Sequence, residues 1–242
     1  MELTFVGCGD AFGSGGRFNT CFHVQSAGSA FLVDCGSSAL ISMKRLAIDP
    51  SAIDSIFITH FHTDHFGGLP FLVLDAQFSK RTRPLSVLGP TGLRDPYRSV
   101  MEAAFPGTAA RTFKVSIVEL PADTISVHGA AKVLAKPVVH GLPATAFFGY
   151  RIWIDNRVIA YTGDTEWTDN LIELGRDADL LIAESYYFDR LIPFHLSYRT
   201  LLERLPTIAP KRLVLMHMSN DMLRRSVDIN HERAIDGMKL TL

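Results

Sequence analysis

The chain has few cysteines and no excess of charge of either sign. Its 242 residues include three cysteines, Cys8, Cys21 and Cys35, and this odd number at scattered spacings predicts no disulfide framework. A reducing interior is the simpler interpretation, so we expect a cytoplasmic protein. The chain carries 24 basic and 25 acidic side chains and a net charge of −1. Bulk electrostatics therefore gives no reason for nonspecific binding to nucleic acid or to a membrane surface.

Long apolar runs and low-complexity segments are also missing. No stretch approaches the roughly eighteen unbroken apolar residues of a membrane-spanning helix. The first residues are not basic, and residues 7–16 are rich in glycine where the apolar core of a signal peptide would continue. Hydrophobic residues make up 47% of the chain, enough to bury a sizeable core, which excludes a disordered protein. Because no linker or repeat interrupts the pattern, we predict a single domain over residues 1–242.

The predicted strands occur in two batches, each with helices interspersed. β-rich runs include Leu3–Val6 and Ser55–Thr59 in the first half, and Phe147–Ile154 and Leu213–Met216 in the second. Two sheets packed face to face, with helices outside, would bury both batches. The sequence therefore predicts an α/β fold, a four-layer αββα sandwich. It also predicts a last helix over Asn230–Met238.

The most informative segment is the run T-H-F-H-T-D-H at residues 59–65, directly after the buried strand Ser55–Ile58. Three histidines and a carboxylate lie within six positions of this run. Neutral imidazole and carboxylate are the ligands that a divalent metal such as zinc takes. A histidine-rich surface loop is the alternative, which the position at the end of a buried strand disfavours.

The spacing within this run predicts how it offers its ligands. His60 and His62 are two apart, so in extended backbone their side chains leave on the same face. Asp64 and His65 follow where a pair of glycines indicates a turn that opens a helix. The segment can therefore offer a histidine pair to one metal and an Asp–His pair to its neighbour.

The run resembles the signature T-H-x-H-x-D-H of the metallo-β-lactamase superfamily. That resemblance implies an αββα sandwich with two divalent metal ions at one edge, zinc first, with manganese or iron as alternatives. Three later positions, His140, Asp164 and His217, each follow a predicted strand and match the family's remaining metal ligands. The resemblance assigns His60, His62 and His140 to the first metal, Asp64, His65 and His217 to the second, and Asp164 to the bridge.

Two more segments resemble one branch of the superfamily, ribonuclease Z and its phosphodiesterase relatives. They are the opening stretch of residues 7–20 and the triplet Asp34-Cys35-Gly36. A true β-lactamase would more typically place a cysteine at the position of Asp164. An acidic residue in place of His62 would indicate the redox di-iron branch, so histidine there favours hydrolysis.

The triplet His195-Leu196-Ser197 resembles the His-x-Ser/Thr motif of the same branch, in which the histidine acts in phosphodiester cleavage without binding metal. This resemblance implies that His195 protonates the departing alkoxide. Glu184 resembles the acidic residue that orients that histidine, although a surface acid is an open alternative. Asp64 is also a candidate for orienting the nucleophile while it binds metal. The catalytic candidates are therefore Asp64, His195 and Glu184.

The chain departs from common ribonuclease Z between His140 and Asp164. That interval spans only 24 positions and reads as a hairpin around Asp155-Asn156, so no tRNA-gripping arm fits. The departure favours a binuclear metal phosphodiesterase that acts on a small nucleotide-like or cyclic phosphodiester, with RNA less favoured. The alternatives are a tRNA 3′-end processing endonuclease, a lactone or sulfate-ester hydrolase, and a non-catalytic binding module. The resemblance also implies a homodimer.

Cys21 and His23 lie two apart on one face of a predicted strand. A phosphodiesterase of the phosphonate-degradation pathway, which also lacks the arm, holds a structural zinc with a cysteine cluster. Packing cysteines are nevertheless the favoured interpretation here, because the other two cysteines lie elsewhere in the sequence.

Overall fold

The computed structural model describes residues 1–108, 113–142, 147–225 and 228–242. Its described strands form two seven-stranded sheets. The strands of the first sheet are β1 (Glu2–Gly7), β2 (Cys21–Gln25), β3 (Ala30–Val33), β4 (Ser55–Phe57), β5 (Leu85–Gly89), β6 (Val115–Glu119) and β14 (Lys239–Thr241). Those of the second are β7 (Ile125–His128), β8 (Ala131–Pro137), β9 (Phe148–Ile154), β10 (Arg157–Tyr161), β11 (Leu180–Glu184), β12 (Leu213–Met216) and β13 (Glu232–Arg233).

Both sheets are mixed in the same way. The first has the order β14-β1-β2-β3-β4-β5-β6, antiparallel from β14 to β3 and parallel from β3 to β6. The second has the order β13-β12-β11-β10-β9-β8-β7, parallel from β13 to β10 and antiparallel from β10 to β7. The strands β3 and β12 are continuous apolar runs with every residue buried, and β11 is equally buried and apolar up to its last residue, Glu184. Such runs are typical of strands that are covered on both faces.

Helices cover the outer face of each sheet. They are α1 (Ala39–Arg45), α2 (Thr63–Phe66), α3 (Leu69–Phe78), α4 (Arg94–Ala104), α5 (Asn170–Gly175), α6 (Tyr198–Ile208) and α7 (Asn220–Arg224), with short 3-10 turns at Ser14–Gly16 and Pro50–Ala52. One core cluster joins the two sheets, a second packs the first sheet against α1, α3 and α4, and a third packs the second sheet against α5, α6 and α7. These three cores separate four layers, so the predicted αββα sandwich is confirmed. No helix in the described part of the chain is long and apolar enough to cross a membrane.

The predicted helix over Asn230–Met238 is wrong. The segment instead contains β13 and the turn that leads into β14, which belong to different sheets. The Ala234 amide donates to Leu215 O at 2.8 Å, and the Gly237 amide donates to Phe5 O at 2.7 Å. The backbone groups of the segment are therefore satisfied by long-range partners in both sheets rather than within a helix.

The strand directions bring the functional segments to one edge of the sandwich. In the first sheet β1, β3 and β4 run in the same direction, so their carboxyl ends lie at one edge of that sheet. In the second sheet the same holds for β8, β10, β11 and β12. Hydrogen bonds join the two edges: the His217 amide donates to Cys8 O at 3.0 Å, and the Phe148 amide donates to Thr59 O at 2.9 Å. Each half of the chain therefore contributes loops to one common site.

Candidate metal centre

The first cluster of potential ligands consists of three histidines from two sheets. His60 and His62 follow β4, and His140 follows β8. The Nδ1 atom of His62 lies 3.0 Å from Nε2 of His60 and 3.1 Å from Nε2 of His140. Three imidazole nitrogens thus converge on one point, as the spacing of His60 and His62 predicts.

The second cluster brings together Asp64 and His65 of α2, Asp164 after β10 and His217 after β12. The Asp164 Oδ2 atom lies 3.3 Å from His65 Nε2 and 3.2 Å from His217 Nε2. The Asp64 Oδ2 atom lies 3.3 Å from each of the same two nitrogens. Asp164 Oδ2 is also 3.7 Å from His140 Nε2, so this carboxylate stands between the two clusters.

The geometry of both clusters fits divalent metal ions. Ligand atoms around a tetrahedral zinc with bonds of ~2.0–2.1 Å are about 3.3 Å apart, close to the spacings in the second cluster. Two of its buried atoms, His65 Nε2 and Asp164 Oδ1, have no hydrogen-bond partner among the described residues. Buried polar atoms without partners are costly, and metal coordination would satisfy them.

Asp34 orients His65 directly, and His60 through Thr59, from the side of each ring that faces away from the site. This fully buried carboxylate follows β3, and its Oδ2 atom lies 2.7 Å from His65 Nδ1. It also accepts hydrogen bonds from the Thr59 amide and hydroxyl, and that hydroxyl lies 3.0 Å from His60 Nδ1. His140 Nδ1 in turn lies 2.7 Å from Phe194 O. With Nδ1 donating to these acceptors, the three rings present Nε2 to the site, which is how protein frames fix the tautomer of metal-binding histidines.

Burial and charge divide the site into two electrostatic regions. In the first cluster, burial lowers the pKa values of His60 and His62 and lowers the pKa of His140 to about 4, so all three are neutral near pH 7. In the second cluster burial opposes protonation of His217, but the charge of Asp164 and the hydrogen bond to Asp64, with the charge of Glu184, together outweigh burial and raise the pKa of His217 to about 9. Three neutral imidazoles beside the carboxylates of the second cluster form an arrangement that attracts cations.

His195 and Glu184 form a pair beside the second cluster. Glu184 ends β11, is fully buried, and contacts His195 Nδ1 through Oε1. Its Oε2 accepts from the Thr165 amide at 2.7 Å, so it is not the surface acid that the sequence left open. Burial lowers the pKa of His195, but the hydrogen bond and charge of Glu184 outweigh burial and raise it. The pair therefore provides an oriented imidazole that favours its protonated form.

The loop around His195 is ordered by several neighbours, of which the sequence singled out only Ser197. The Tyr186 ring stacks on the His195 ring with centroids 4.5 Å apart. The Phe194 amide donates to Glu166 Oε2 at 3.0 Å, while its carbonyl accepts from His140. Ser197 is the N-cap of α6, and its hydroxyl accepts from the Thr200 amide. Only this last contact has a recognisable local signature, a serine before an amphipathic run.

Other histidines and cysteines lie outside the site. Cys8, Cys21 and Cys35 are free and buried, and none of them joins a cluster of potential ligands in the described part of the chain. Burial raises the pKa of the Cys35 thiol to about 12, which suits a packing role. His23 is buried on β2 with Nε2 unpartnered among the described residues, and it also joins none of these clusters.

Known proteins with similar sequences carry the name ribonuclease Z. The enzyme of Geobacillus kaustophilus is 28% identical over 275 aligned positions, which cover 91% of this chain and 89% of that protein. The crystal structure of human tRNase Z, short form, matches with a TM-score of 0.81 and 26% identity, and the match covers 100% of this chain and 99% of that one. A diphosphatase of the PhnP family matches with a TM-score of 0.80 at 22% identity, over 100% of this chain and 97% of that one, a likeness that shows the shared fold.

These relatives and the fold define the class. The chain is a metal-dependent hydrolase of the metallo-β-lactamase superfamily, and it is ribonuclease Z-like. Within that class it belongs to the family described as Anti-Pycsar protein Apyc1, whose model matches residues 1–236.

Proposed function

We propose that the protein is a binuclear metal phosphodiesterase that acts on a small nucleotide-like or cyclic phosphodiester. In this proposal His60, His62 and His140 hold one ion, Asp64, His65 and His217 hold the other, and Asp164 bridges them. The ions are zinc first, with manganese or iron as alternatives. When bound, such a pair withdraws charge from the scissile phosphate and supplies a hydroxide nucleophile near neutral pH.

The observation that carries the proposal is the Glu184–His195 pair at the same cavity as both ligand clusters. Cleavage of an alkyl phosphodiester releases an alkoxide, which needs a proton as it departs. A buried carboxylate on Nδ1 holds the imidazole in one orientation and favours its charged form. We assign His195 as the acid, Glu184 as the residue that positions it, and Asp64 as a ligand that also orients the nucleophile.

The shape of the site favours a small substrate. The cavity between the clusters and His195 has a volume of about 250 Å³, just below the roughly 300–1,000 Å³ that is typical of small-molecule sites. In place of an arm, residues 148–161 form the tight β9–β10 hairpin, with left-handed Asp155 and Asn156 at its turn. The family description also names an action against Pycsar and not tRNA maturation.

A tRNA 3′-end processing endonuclease is the second candidate. It is favoured by the ribonuclease Z relatives, one of which covers 91% of this chain. A homodimer, implied by the resemblance, belongs to either proposal, and light scattering measures it.

A substrate screen with metal-replete protein tests the proposal. The panel contains linear phosphodiesters, nucleoside cyclic monophosphates, lactones and sulfate esters, each assayed before and after chelation. We expect chelator-sensitive hydrolysis of the phosphodiesters alone. The matched variants are His195→Ala and His128→Ala; His128 contacts Ser126 on β7 and serves as a histidine outside the site. Faster hydrolysis of lactones or sulfate esters than of any phosphodiester would contradict the proposal.

A further inference from the structure

Two exposed phenylalanines line the cavity of the candidate site from different loops. Phe12 follows β1 and is 84% exposed, whereas Phe194 precedes α6 and is 41% exposed. An exposed phenylalanine forgoes the stabilisation that burial of its ring would give. Single exposed apolar residues are ordinary, but two of them from different loops that line one cavity provide an exposed apolar surface at the site.

The position of Phe194 is imposed by its backbone. Its φ angle is +70°, a left-handed conformation that is strained for a residue with a side chain. The hydrogen bonds of its amide to Glu166 and of its carbonyl to His140 hold this conformation. The ring is therefore oriented relative to a candidate metal ligand, and the strain is offset by contacts within the site.

The loop that carries Phe12 is also held in place. The Asp10 carboxylate accepts from the Ser14 amide and hydroxyl, each at 2.8 Å, and the Asp10 carbonyl accepts from Asn19 Nδ2 at 3.1 Å. Among the ring contacts of the described residues, none joins Phe12 to Phe194. Both rings thus line the cavity from loops that hydrogen bonds hold in place, and the two rings do not contact each other.

The charge of the cavity limits what else can bind there. Its described lining residues include histidines, aspartates and apolar groups but neither lysine nor arginine. Proteins that bind a chain of phosphates supply lysine or arginine for each phosphate that they neutralise. Apart from the phosphate at the candidate metal ligands, this cavity therefore favours an uncharged, apolar part of the substrate.

We propose that Phe12 and Phe194 form a subsite for a planar, uncharged ring of the substrate, such as the base of a nucleotide with a single phosphodiester. This inference rests on the proposed function and names the recognition element within it. Stacking of a ring on an aromatic side chain stabilises the bound substrate, and this contact tolerates different bases because each has a π-face.

The test compares two substrates that differ only in the ring. One is a nucleoside 3′,5′-cyclic monophosphate, and the other is the same cyclic ribose phosphate without a base. We expect Phe12→Ala and Phe194→Leu to lower kcat/KM for the nucleotide on the order of tenfold, mainly through KM. We expect Phe12→Ala to hydrolyse the abasic compound within about twofold of the wild-type rate. Phe78→Ala is the matched control, because Phe78 is 78% exposed at the end of α3, outside the cavity.

The possible results distinguish failure of the proposed subsite from failure of the proposed phosphodiesterase function. If both compounds are hydrolysed equally well and the two variants change neither rate, the subsite is overturned while the phosphodiesterase stands. Equal losses on both compounds would also overturn it, because they would mark a structural effect. If metal-replete wild type hydrolyses neither these compounds nor any other phosphodiester, the proposed function fails and the inference falls with it. Phe12→Ala keeps the test decisive even if Phe194→Leu fails to fold, since Phe12 is the more exposed side chain.

Discussion

Asp34 shows how one buried residue supports several ligands. It contacts His65 directly and reaches His60 through Thr59, yet no local spacing connects it with the run at residues 59–65. Its φ angle of +58° turns the chain at the end of β3 and brings the carboxylate under the site. Groups that hold metal-binding histidines from behind are commonly worth 10–100-fold in metal affinity.

Asp34→Asn should therefore weaken metal binding by roughly 10–100-fold while it keeps the shape of the side chain. The amide oxygen can still accept one hydrogen bond, but the charge that favours an oriented His65 is lost. Competition with a chelator of known affinity measures the change. Asp75→Asn is the control, since Asp75 pairs with Lys44 away from the site. Unchanged affinity in Asp34→Asn would remove Asp34 from the metal centre.

In the proposed function His195 donates a proton to the leaving group, so the rate lost on its removal should depend on which leaving group departs. His195→Ala should keep its metals and its fold but lose about two to four orders of magnitude in rate on an alkyl phosphodiester. The loss should be much smaller with p-nitrophenolate as leaving group, because that anion departs without a proton. Metal content and both rates, measured on one preparation, distinguish an acid from a ligand.

Glu184→Gln is the companion variant for this prediction. It removes the charge that favours protonated His195 and should reproduce the leaving-group dependence in a weaker form. Equal and large losses on both substrates, with full metal content, would instead show that His195 positions the substrate.

At the scale of elements, strand ends and the loops after them carry the chemistry. The candidate ligands and Glu184 all come from the carboxyl ends of β4, β8, β10, β11 and β12 or from α2. The paired strands of each sheet hold these ends next to one another. The alignment with ribonuclease Z of Geobacillus kaustophilus runs over 275 positions, more than the 242 residues of this chain, so the relative carries insertions.

The β9–β10 hairpin leads to a prediction about RNA. Because residues 148–161 of the short interval between His140 and Asp164 form this tight hairpin, precursor tRNA should be a poor substrate beside a small phosphodiester. Relative kcat/KM for the two substrates at physiological salt measures the preference. Efficient and site-specific cleavage of precursor tRNA under these conditions would favour the endonuclease instead.

At the scale of the whole molecule, the metal centre joins the two halves of the sandwich. Each proposed ion takes ligands from the first half (His60, His62, Asp64, His65) and from the second (His140, Asp164, His217), so its binding energy also stabilises the native arrangement.

Elemental analysis after zinc reconstitution should find about two ions per chain. Asp164→Ala should lose at least one of them, because the carboxylate between the clusters disappears, whereas the control His128→Ala should keep both. A protein that binds no metal after reconstitution would contradict the whole assignment.

The core between the sheets offers a matched pair of substitutions for stability. Tyr150 and Tyr161 are both fully buried there, but only the Tyr150 hydroxyl has a partner, donating to Ile58 O at 2.5 Å. The Tyr161 hydroxyl has no hydrogen-bond partner among the described residues. Tyr150→Phe should therefore lower the free energy of unfolding by about 1–2 kcal/mol, while Tyr161→Phe should be neutral or stabilising. Urea unfolding of the metal-replete proteins measures both, and equal losses would contradict the distinction.

Much of the site could be predicted from the chain alone, because its ligands occupy recognisable places in the sequence. The run at residues 59–65 is local, and His140, Asp164 and His217 each follow a run that predicts a strand. The carboxyl ends of parallel strands lie at the same edge of a sheet, so the residues that follow these strands lie close together. The αββα architecture followed from two batches of apolar strands that need to be buried.

Contacts between segments far apart in the chain could not be predicted in this way. The burial of Glu184, the reach of Asp34 to His60 and the left-handed turn at Phe194 depend on partners from other loops. The last segment forms strands rather than a helix for the same reason: its hydrogen bonds go to both sheets, including those with Leu215 and Phe5. Local propensity is worth only tenths of a kilocalorie per mole for each residue, so pairing and burial across the sandwich outweigh it.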